Sequence, residues 1–157
     1  MKNNNSLYLS CFLFISIFLF SWWSHPSLIP KTSTDSGLYL NLASDFHHHA
    51  SKERPFIFPL LIRYCMKLTE HNWEETFSII QISFHTLISI CLFFLFQEFQ
   101  VKKYMAFILT FFIGFNPSLI YYSTYLLADH LLAVLTTLSW IFTIRFSKNF
   151  HKRKNIY

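Results

Sequence analysis

Long apolar segments separated by shorter polar ones dominate the pattern along the chain. Four of them approach the length of about 20 residues that a helix needs to cross a bilayer: residues 7–23, 76–96, 104–122 and 126–146. Between the first and second of these lies one long segment, residues 24–73. The pattern therefore predicts a single all-α integral membrane module over residues 1–157, with about four transmembrane helices and a long outer loop.

The first apolar segment admits two interpretations. Lys2 followed by an apolar core from Leu7 to Phe20 is typical of a secretory signal peptide. The residues after this core include Trp22 and Trp23, whereas signal peptides are cleaved after small side chains. An uncleaved membrane anchor is the favoured interpretation.

The first half of the long loop contains a helical pattern. Asp35 is a favoured residue type for capping the N-terminus of a helix. Leu38, Leu42 and Phe46 follow at i, i+4 and i+8 positions, which lie on one face of a helix. We therefore predict an amphipathic helix that starts at Asp35 and lies on the membrane surface.

The second half of the loop contains a shorter apolar stretch. Residues 56–68 carry Arg63 and Lys67 and are too few to cross a bilayer as a helix. Pro55 and Pro59 bracket the beginning of this stretch. We expect an interfacial or re-entrant helix here.

The distribution of charge predicts an orientation. The formal net charge is +5, and eight of the 13 Lys and Arg residues flank the apolar segments on one side: Lys2, Lys102, Lys103, Arg145, Lys148, Lys152, Arg153 and Lys154. Positive residues in short loops favour the cytoplasmic side of a membrane. We therefore expect both termini to be cytoplasmic and the 24–73 loop to lie on the outer face, in a bacterial inner or plasma membrane.

Composition narrows the class of protein further. Hydrophobic residues make up 53% of the chain and there are only 2 glycines, which is atypical of a soluble domain. No basic patch is interleaved with aromatic residues outside the apolar segments, so nucleic-acid binding is not expected. Cys11, Cys65 and Cys91 lack metal-ligand spacing and give no disulfide framework.

Two carboxylates are the strongest candidates for chemistry. Asp35 follows the first span and Asp129 precedes the fourth, so the predicted topology places both on the outer face. Such carboxylates can act as general bases or hold a divalent cation. Each also has a purely structural interpretation, as a residue at the start of a helix. Residue spacing leaves the two interpretations open.

Other polar residues have weaker patterns. Arg54 and Arg63 could bind a lipid phosphate through their guanidinium groups, or simply extend toward headgroups. His130 follows Asp129 directly and could exchange protons with it. His85 lies inside an apolar segment, where an interhelical hydrogen bond is expected. The triplet at residues 47–49 is three histidines, but adjacent side chains point apart and seldom bind one metal ion.

The order of these segments resembles the N-terminal part of GT-C membrane glycosyltransferases, including protein O-mannosyltransferase-like and aminoarabinose-transferase-like enzymes. The resemblance rests on residues 35–43, DSGLYLNLA, followed by residues 54–61, and on residues 116–129, NPSLIYYSTYLLAD. In that superfamily an acidic residue follows the first span and an aromatic residue comes a few positions later. Asp35 and Tyr39 match this arrangement here.

The resemblance implies a function. It implies a polyprenyl-phosphate-linked sugar donor, an active site on the outer face, and inverting transfer to a hydroxyl of a lipid, glycan or protein. Asp35 would be the catalytic carboxylate and Asp129 the second acidic residue of the site, with Mg or Mn as the candidate cation that both would hold. The candidate substrate-binding residues are Arg54, Arg63, Tyr39 and His130.

Two departures from the family pattern accompany the resemblance. Ser36 stands where the family usually has a second acidic residue, which puts metal coordination at that position in doubt. The family also has about eight or more spans, so we expect an N-terminal module that needs a complementing membrane chain. The alternative hypothesis is a small non-enzymatic four-helix membrane protein or accessory subunit.

Overall fold

The computed structural model describes residues 4–25, 27–44, 56–69, 71–126 and 128–154. Within these ranges the chain is helical apart from turns, short connections and one isolated bridge, so the predicted all-α class is confirmed. The helices are α1 (Asn4–Trp23), α2 (Thr34–Ser44), α3 (Ile57–Thr69), α4 (Trp73–Glu98), α5 (Lys103–Gly114), α6 (Pro117–Tyr122) and α7 (Asp129–Lys154).

Three of these helices are long and apolar enough to cross a membrane. The spans are Asn5–Trp23, Trp73–Glu98 and Asp129–Lys148. They correspond to the first, second and fourth apolar segments of the sequence. Length and composition therefore indicate a membrane protein, as the pattern predicts.

The third apolar segment is two helices rather than one. α5 ends at Gly114 and α6 begins at Pro117, which cannot donate a backbone hydrogen bond. The side chain of Asn116 caps α6 by accepting hydrogen bonds from the backbone of Ser118 at 2.9 Å and of Leu119 at 3.4 Å. A break at Asn116-Pro117 therefore interrupts this segment, and residues 104–122 do not form one continuous helix.

Helix α4 lies at the centre of the bundle, packed against α1, α5 and α7. Ser6, near the start of α1, donates a hydrogen bond to Gln97, near the end of α4, so these helices are antiparallel. Glu98 pairs with Arg145 at 2.7 Å and Lys148 at 3.0 Å, so α4 and α7 run in the same direction. We call this end of the bundle, with its cations, the basic end.

The opposite end of α4 extends beyond its neighbours. Gln81 donates a hydrogen bond to the carbonyl of Tyr125, and the rings of His85 and His130 lie 5.8 Å apart. The connection before α7 and the start of α7 are therefore level with these residues of α4. Because α4 begins at Trp73, about 12 Å of helix projects past Gln81. We call this projecting part, with the helices packed on it, the capped end.

Helix α3 covers the projecting part of α4, and α2 packs on α3. Their contact centres on Phe58, whose ring lies 4.9 Å from that of Tyr39 and 5.6 Å from that of Phe77. If α3 and α4 formed an antiparallel hairpin with its turn at His71, Phe58 would lie opposite Phe84 rather than next to Phe77. α3 therefore lies across the beginning of α4, as a surface-lying helix would, rather than alongside it.

The buried face of α2 differs from the predicted stripe. Leu38 is 40% exposed, while Tyr39 and Ala43 are buried in the capped end together with Leu42. Phe46, the third residue of the predicted stripe, lies outside the described residues. Tyr39 rather than Leu38 meets Phe58, and contact of the predicted stripe with a membrane surface stays a prediction.

Candidate functional site

The two connections that precede the helices of the candidate carboxylates meet at the capped end. Lys31, between α1 and α2, donates its backbone N–H to the carbonyl of Thr124 across 2.7 Å. Leu126 donates its N–H back to the carbonyl of Lys31 across 3.0 Å. These bonds form an isolated parallel bridge between Lys31 and Tyr125. The connection before α2 is therefore held against the connection before α7 by backbone hydrogen bonds.

A buried side chain reinforces this junction. Ser36 is fully buried and donates its hydroxyl hydrogen to the carbonyl of Leu126 across 3.0 Å. Ser36 directly follows Asp35, and Leu126 precedes Asp129 by three residues. The structure therefore brings together the segments that contain the two carboxylates, although they are far apart in sequence.

Asp35 lies in the first turn of α2 with an exposed side chain. The helix begins at Thr34, so the predicted capping position is corrected to Ser33. The Ser36 hydroxyl accepts the backbone N–H of Ser33 across 2.8 Å, as the third helical residue does in a capping box. A carboxylate in this first turn is still favoured by the helix dipole.

Asp129 is the first residue of α7 and is also exposed. It lies at a cavity of about 340 Å³ between α4, the break of α5–α6 and the start of α7. His85 and His130 line the same cavity. The predicted interhelical hydrogen bond of His85 is confirmed, because its Nε2 donates to the carbonyl of Gly114 across 3.0 Å.

A second cavity of about 340 Å³ lies beside the Lys31–Tyr125 bridge. It is lined by the side chains of Lys31 and His25 and by hydroxyls of Ser24, Ser27 and Thr124. The Lys31 ammonium lies 4.2 Å from the ring centroid of Tyr121. The sequence pattern does not single out Lys31 or His25, since neither belongs to a periodic stripe or a recognisable motif.

His25 is a buried polar residue at this second cavity. Its Nδ1 bonds the carbonyl of Ser21, while its Nε2 has no hydrogen-bond partner among the described residues. Burial lowers the pKa of His25 below its ordinary value of 6.5, against the opposing effect of the Ser21 hydrogen bond, and the nearby Lys31 charge lowers it further. The imidazole is therefore held in its neutral form.

The remaining candidates are dispersed. Tyr39 is buried against Phe58, so its ring is part of the packing of the capped end. Arg63 is half-buried on α3, away from the bridge. Arg54 and the histidines at 47–49 lie outside the described residues.

Few of the described side chains at the capped end could bind a metal ion. The described residues contain no group of three or more His, Cys, Asp or Glu side chains arranged to hold a metal ion. Asp35 and Asp129 could at most contribute two protein carboxylates to such a site. The predicted Mg or Mn site therefore stays a prediction.

Comparison with known proteins gives no family assignment. No protein-family model, curated protein or solved structure matches the chain. A functional conclusion therefore depends on the geometry of the capped end and its two cavities.

Proposed function

We propose that the chain is a membrane module of a GT-C-type glycosyltransferase, which transfers a sugar from a polyprenyl-phosphate-linked donor to a lipid, glycan or protein hydroxyl. The observation that carries the proposal is the junction at the capped end. There the Ser36–Leu126 hydrogen bond and the Lys31–Tyr125 bridge hold the segments of Asp35 and Asp129 together. A transferase that acts on a membrane-anchored donor needs such a site at one end of its helical bundle.

Helices α5 and α6 serve as a fourth, broken span in this proposal. Together they are about 27 Å long at 1.5 Å per residue, close to the hydrocarbon thickness of about 30 Å. α5 starts at Lys103, beside the basic end, and Gly114 is level with His85. Broken helices occur in membranes where neighbouring groups satisfy the freed backbone, as His85 does here.

Helix α3 lies at the membrane surface in this proposal. One face packs into the capped end, and a second apolar face is exposed: Ile57, Leu60, Tyr64 and Leu68. Arg63 and Lys67 border the exposed face. An exposed apolar stripe bordered by cations is suited to the boundary between headgroups and acyl chains. Arg63 then lies where it can contact lipid phosphate.

The orientation follows from the basic end. Lys102, Lys103, Arg145 and Lys148 lie there with the start of α1, and positive residues favour the cytoplasmic side. We therefore propose that both termini are cytoplasmic and that the capped end faces outward in a bacterial plasma membrane. Lipid-linked sugar donors would reach the site laterally from the outer leaflet.

The exposed carboxylates suit the proposed reaction. Asp35 removes the proton of the acceptor hydroxyl, whose oxygen then bonds to the anomeric carbon. The bond from that carbon to the phosphate oxygen breaks, and the phosphate leaves with the electron pair and the configuration inverts. Asp129 is the second acidic residue. Mg²⁺ is commonly held by one or two carboxylates together with substrate phosphates, so both residues fit an ion that arrives with the donor and neutralises its phosphate.

The second cavity offers a place for the donor phosphate. Lys31 supplies a positive charge there and Ser27 a hydroxyl donor, while the hydroxyls of Ser24 and Thr124 donate to the carbonyls of Phe20 and Tyr121. His130 and Tyr39 lie in neighbouring parts of the capped end and its cavity, where they shape the site. Additional spans of a complementing membrane chain would enclose the polyprenyl tail.

Transfer of a radiolabelled sugar from a polyprenyl-phosphate donor tests the proposal. Membranes that contain the chain together with its complementing membrane chain should label a lipid, glycan or protein fraction, and Asp35→Asn should reduce that labelling by at least about a hundredfold, as expected for loss of a general base. The matched control is Glu75→Gln, another exposed carboxylate at the capped end, which should retain activity. Equal labelling by Asp35→Asn and wild type, or none by either, would instead support a non-enzymatic membrane protein.

A further inference from the structure

The cavity at the break between α5 and α6 has apolar walls and one polar side. Its walls include the apolar side chains of Ile88, Ile113, Leu119 and Ala133. Its volume of about 340 Å³ is roughly twice that of an engineered apolar cavity that holds benzene, about 150 Å³. The space therefore suits a short apolar chain or a small ring.

One side of the cavity carries hydrogen-bond acceptors. The ring of His130 bonds the backbone of Leu119, and its Nδ1 is buried without a partner among the described residues. Since one ring nitrogen donates to a carbonyl, the other nitrogen of the neutral ring is an acceptor. The Nε2 hydrogen of His85 goes to the carbonyl of Gly114, so the Nδ1 of its neutral ring is also an acceptor.

Asp129 adds a negative charge at the cavity. Among the described residues it has no hydrogen bond and no ion pair, and no lysine or arginine lines the cavity. The side chain of Asp129 is exposed, so its carboxylate is accessible to a cation that enters the cavity. The described lining of the cavity therefore carries a negative charge and no lysine or arginine to match it, and its hydroxyl donors are Ser89, which bonds the carbonyl of His85, and Tyr122.

We propose that this cavity binds the primary ammonium head of a small amphiphile, with the apolar part of the ligand between α4 and α7. An ammonium group supplies three hydrogen-bond donors and a positive charge, whereas a neutral alcohol supplies one donor. The ammonium bonds the Asp129 carboxylate at the cavity that His85 and His130 also line. This inference goes beyond sugar transfer and does not depend on it.

Binding of octylamine, with octanol as the neutral matched probe, tests the inference. Octylamine is protonated at pH 7, as a lysine side chain is. Thermal unfolding of the purified chain in micelles, followed over increasing probe concentration, gives an apparent affinity for each compound. Wild type should bind octylamine about tenfold more tightly than octanol, the size expected for one charge-assisted hydrogen bond.

Two variants distinguish binding in the cavity from partition into the micelle. Asp129→Asn should abolish the preference for octylamine, and Ala133→Phe should weaken binding of both probes by filling the space. Glu75→Gln, a carboxylate outside the cavity, should behave as wild type. If Ala133→Phe fails to fold by circular dichroism, Asp129→Asn alone decides the outcome.

Equal affinities for octylamine and octanol in wild type, or an unchanged preference in Asp129→Asn, would overturn the inference. The result is also separable from the proposed transfer reaction. Asp35→Asn should lose sugar transfer while it keeps octylamine binding, since Asp35 does not line this cavity.

Discussion

His85 of α4 donates its Nε2 hydrogen to the carbonyl oxygen of Gly114, the last residue of α5, across 3.0 Å. In a continuous helix that carbonyl would accept the N–H of Ser118, which here bonds the Asn116 side chain instead. An unsatisfied carbonyl inside a membrane is expensive. The histidine therefore stabilises the break between α5 and α6.

Replacing His85 should destabilise the bundle at this break. His85→Ala leaves the Gly114 carbonyl without its partner, and we expect a loss of about 1–3 kcal/mol in the free energy of unfolding. Ser83→Ala is the matched control, because Ser83 bonds only the carbonyl of Ile79 in its own helix. Denaturation of the purified protein in mixed micelles measures the free energy of unfolding of both variants. Equal stability of the two variants would contradict the role of His85.

The two glycines should respond oppositely to alanine. A Cβ at Gly114 would clash with the Cδ1 of Ile17 and lie 3.1 Å from the Oγ of Ser89, so Gly114→Ala should overpack the α1–α4–α5 contact by about 1–3 kcal/mol. Gly37 lies in α2, and a Cβ added there would meet nothing within 4 Å, so Gly37→Ala should stabilise the protein by about 0.5–1 kcal/mol. The same unfolding assay compares them. A stabilising Gly114→Ala would show that the helices do not meet this closely.

Ser36 should contribute more than an exposed serine of the same helix. Ser36→Ala removes the hydrogen bonds to Leu126 and Ser33 and should cost about 1–2 kcal/mol, since buried partners are left unsatisfied. Ser44→Ala removes only a local bond to Asn41 at the exposed end of α2 and should be nearly neutral. Limited proteolysis of the 24–33 connection should also accelerate in Ser36→Ala alone. An unchanged rate of proteolysis in Ser36→Ala would show that the Ser36 hydroxyl does not hold this connection in place.

Stability should fall in mild acid because of His25. Burial lowers the pKa of His25 in the folded protein, so the unfolded chain binds a proton first as the pH falls. The stabilising contribution is present above about pH 6.5 and is lost as the pH falls through the lower folded pKa. His25→Asn should reduce the drop in melting temperature between about pH 7.5 and about pH 5. His71→Asn, which replaces an exposed histidine, should leave that drop unchanged.

Much of the fold could be predicted from local pattern. α1, α4 and α7 coincide with apolar segments long enough to cross a bilayer, because the membrane imposes that length on a helix. The break at Asn116-Pro117 was predictable because proline lacks the N–H that a continuous helix requires there. The helix at residues 57–69 was also predictable from its apolar periodicity and its cations.

The junction at the capped end could not be predicted this way. Ser36 and Leu126 are 90 residues apart, and nothing in either local pattern identifies the other as its partner. Lys31 belongs to no recognisable motif. Its bridge to Tyr125 is formed by backbone atoms, so the side chain leaves no signal of it in the sequence. The face of α2 that packs against the protein could not be predicted either, because Leu38 and Tyr39 are both apolar and only the position of Phe58 selects Tyr39.

The location of the carboxylate-bearing end is the central claim, and cysteine labelling in intact cells tests it most directly. In a background without Cys11, Cys65 and Cys91, a cysteine is placed at Ser44, at the capped end, or at Ser147, near the basic end. A membrane-impermeant maleimide should label Ser44→Cys in intact cells and Ser147→Cys only after the membrane is opened. Labelling of Ser147→Cys alone in intact cells would place Asp35 and Asp129 in the cytoplasm and contradict an outer-face site.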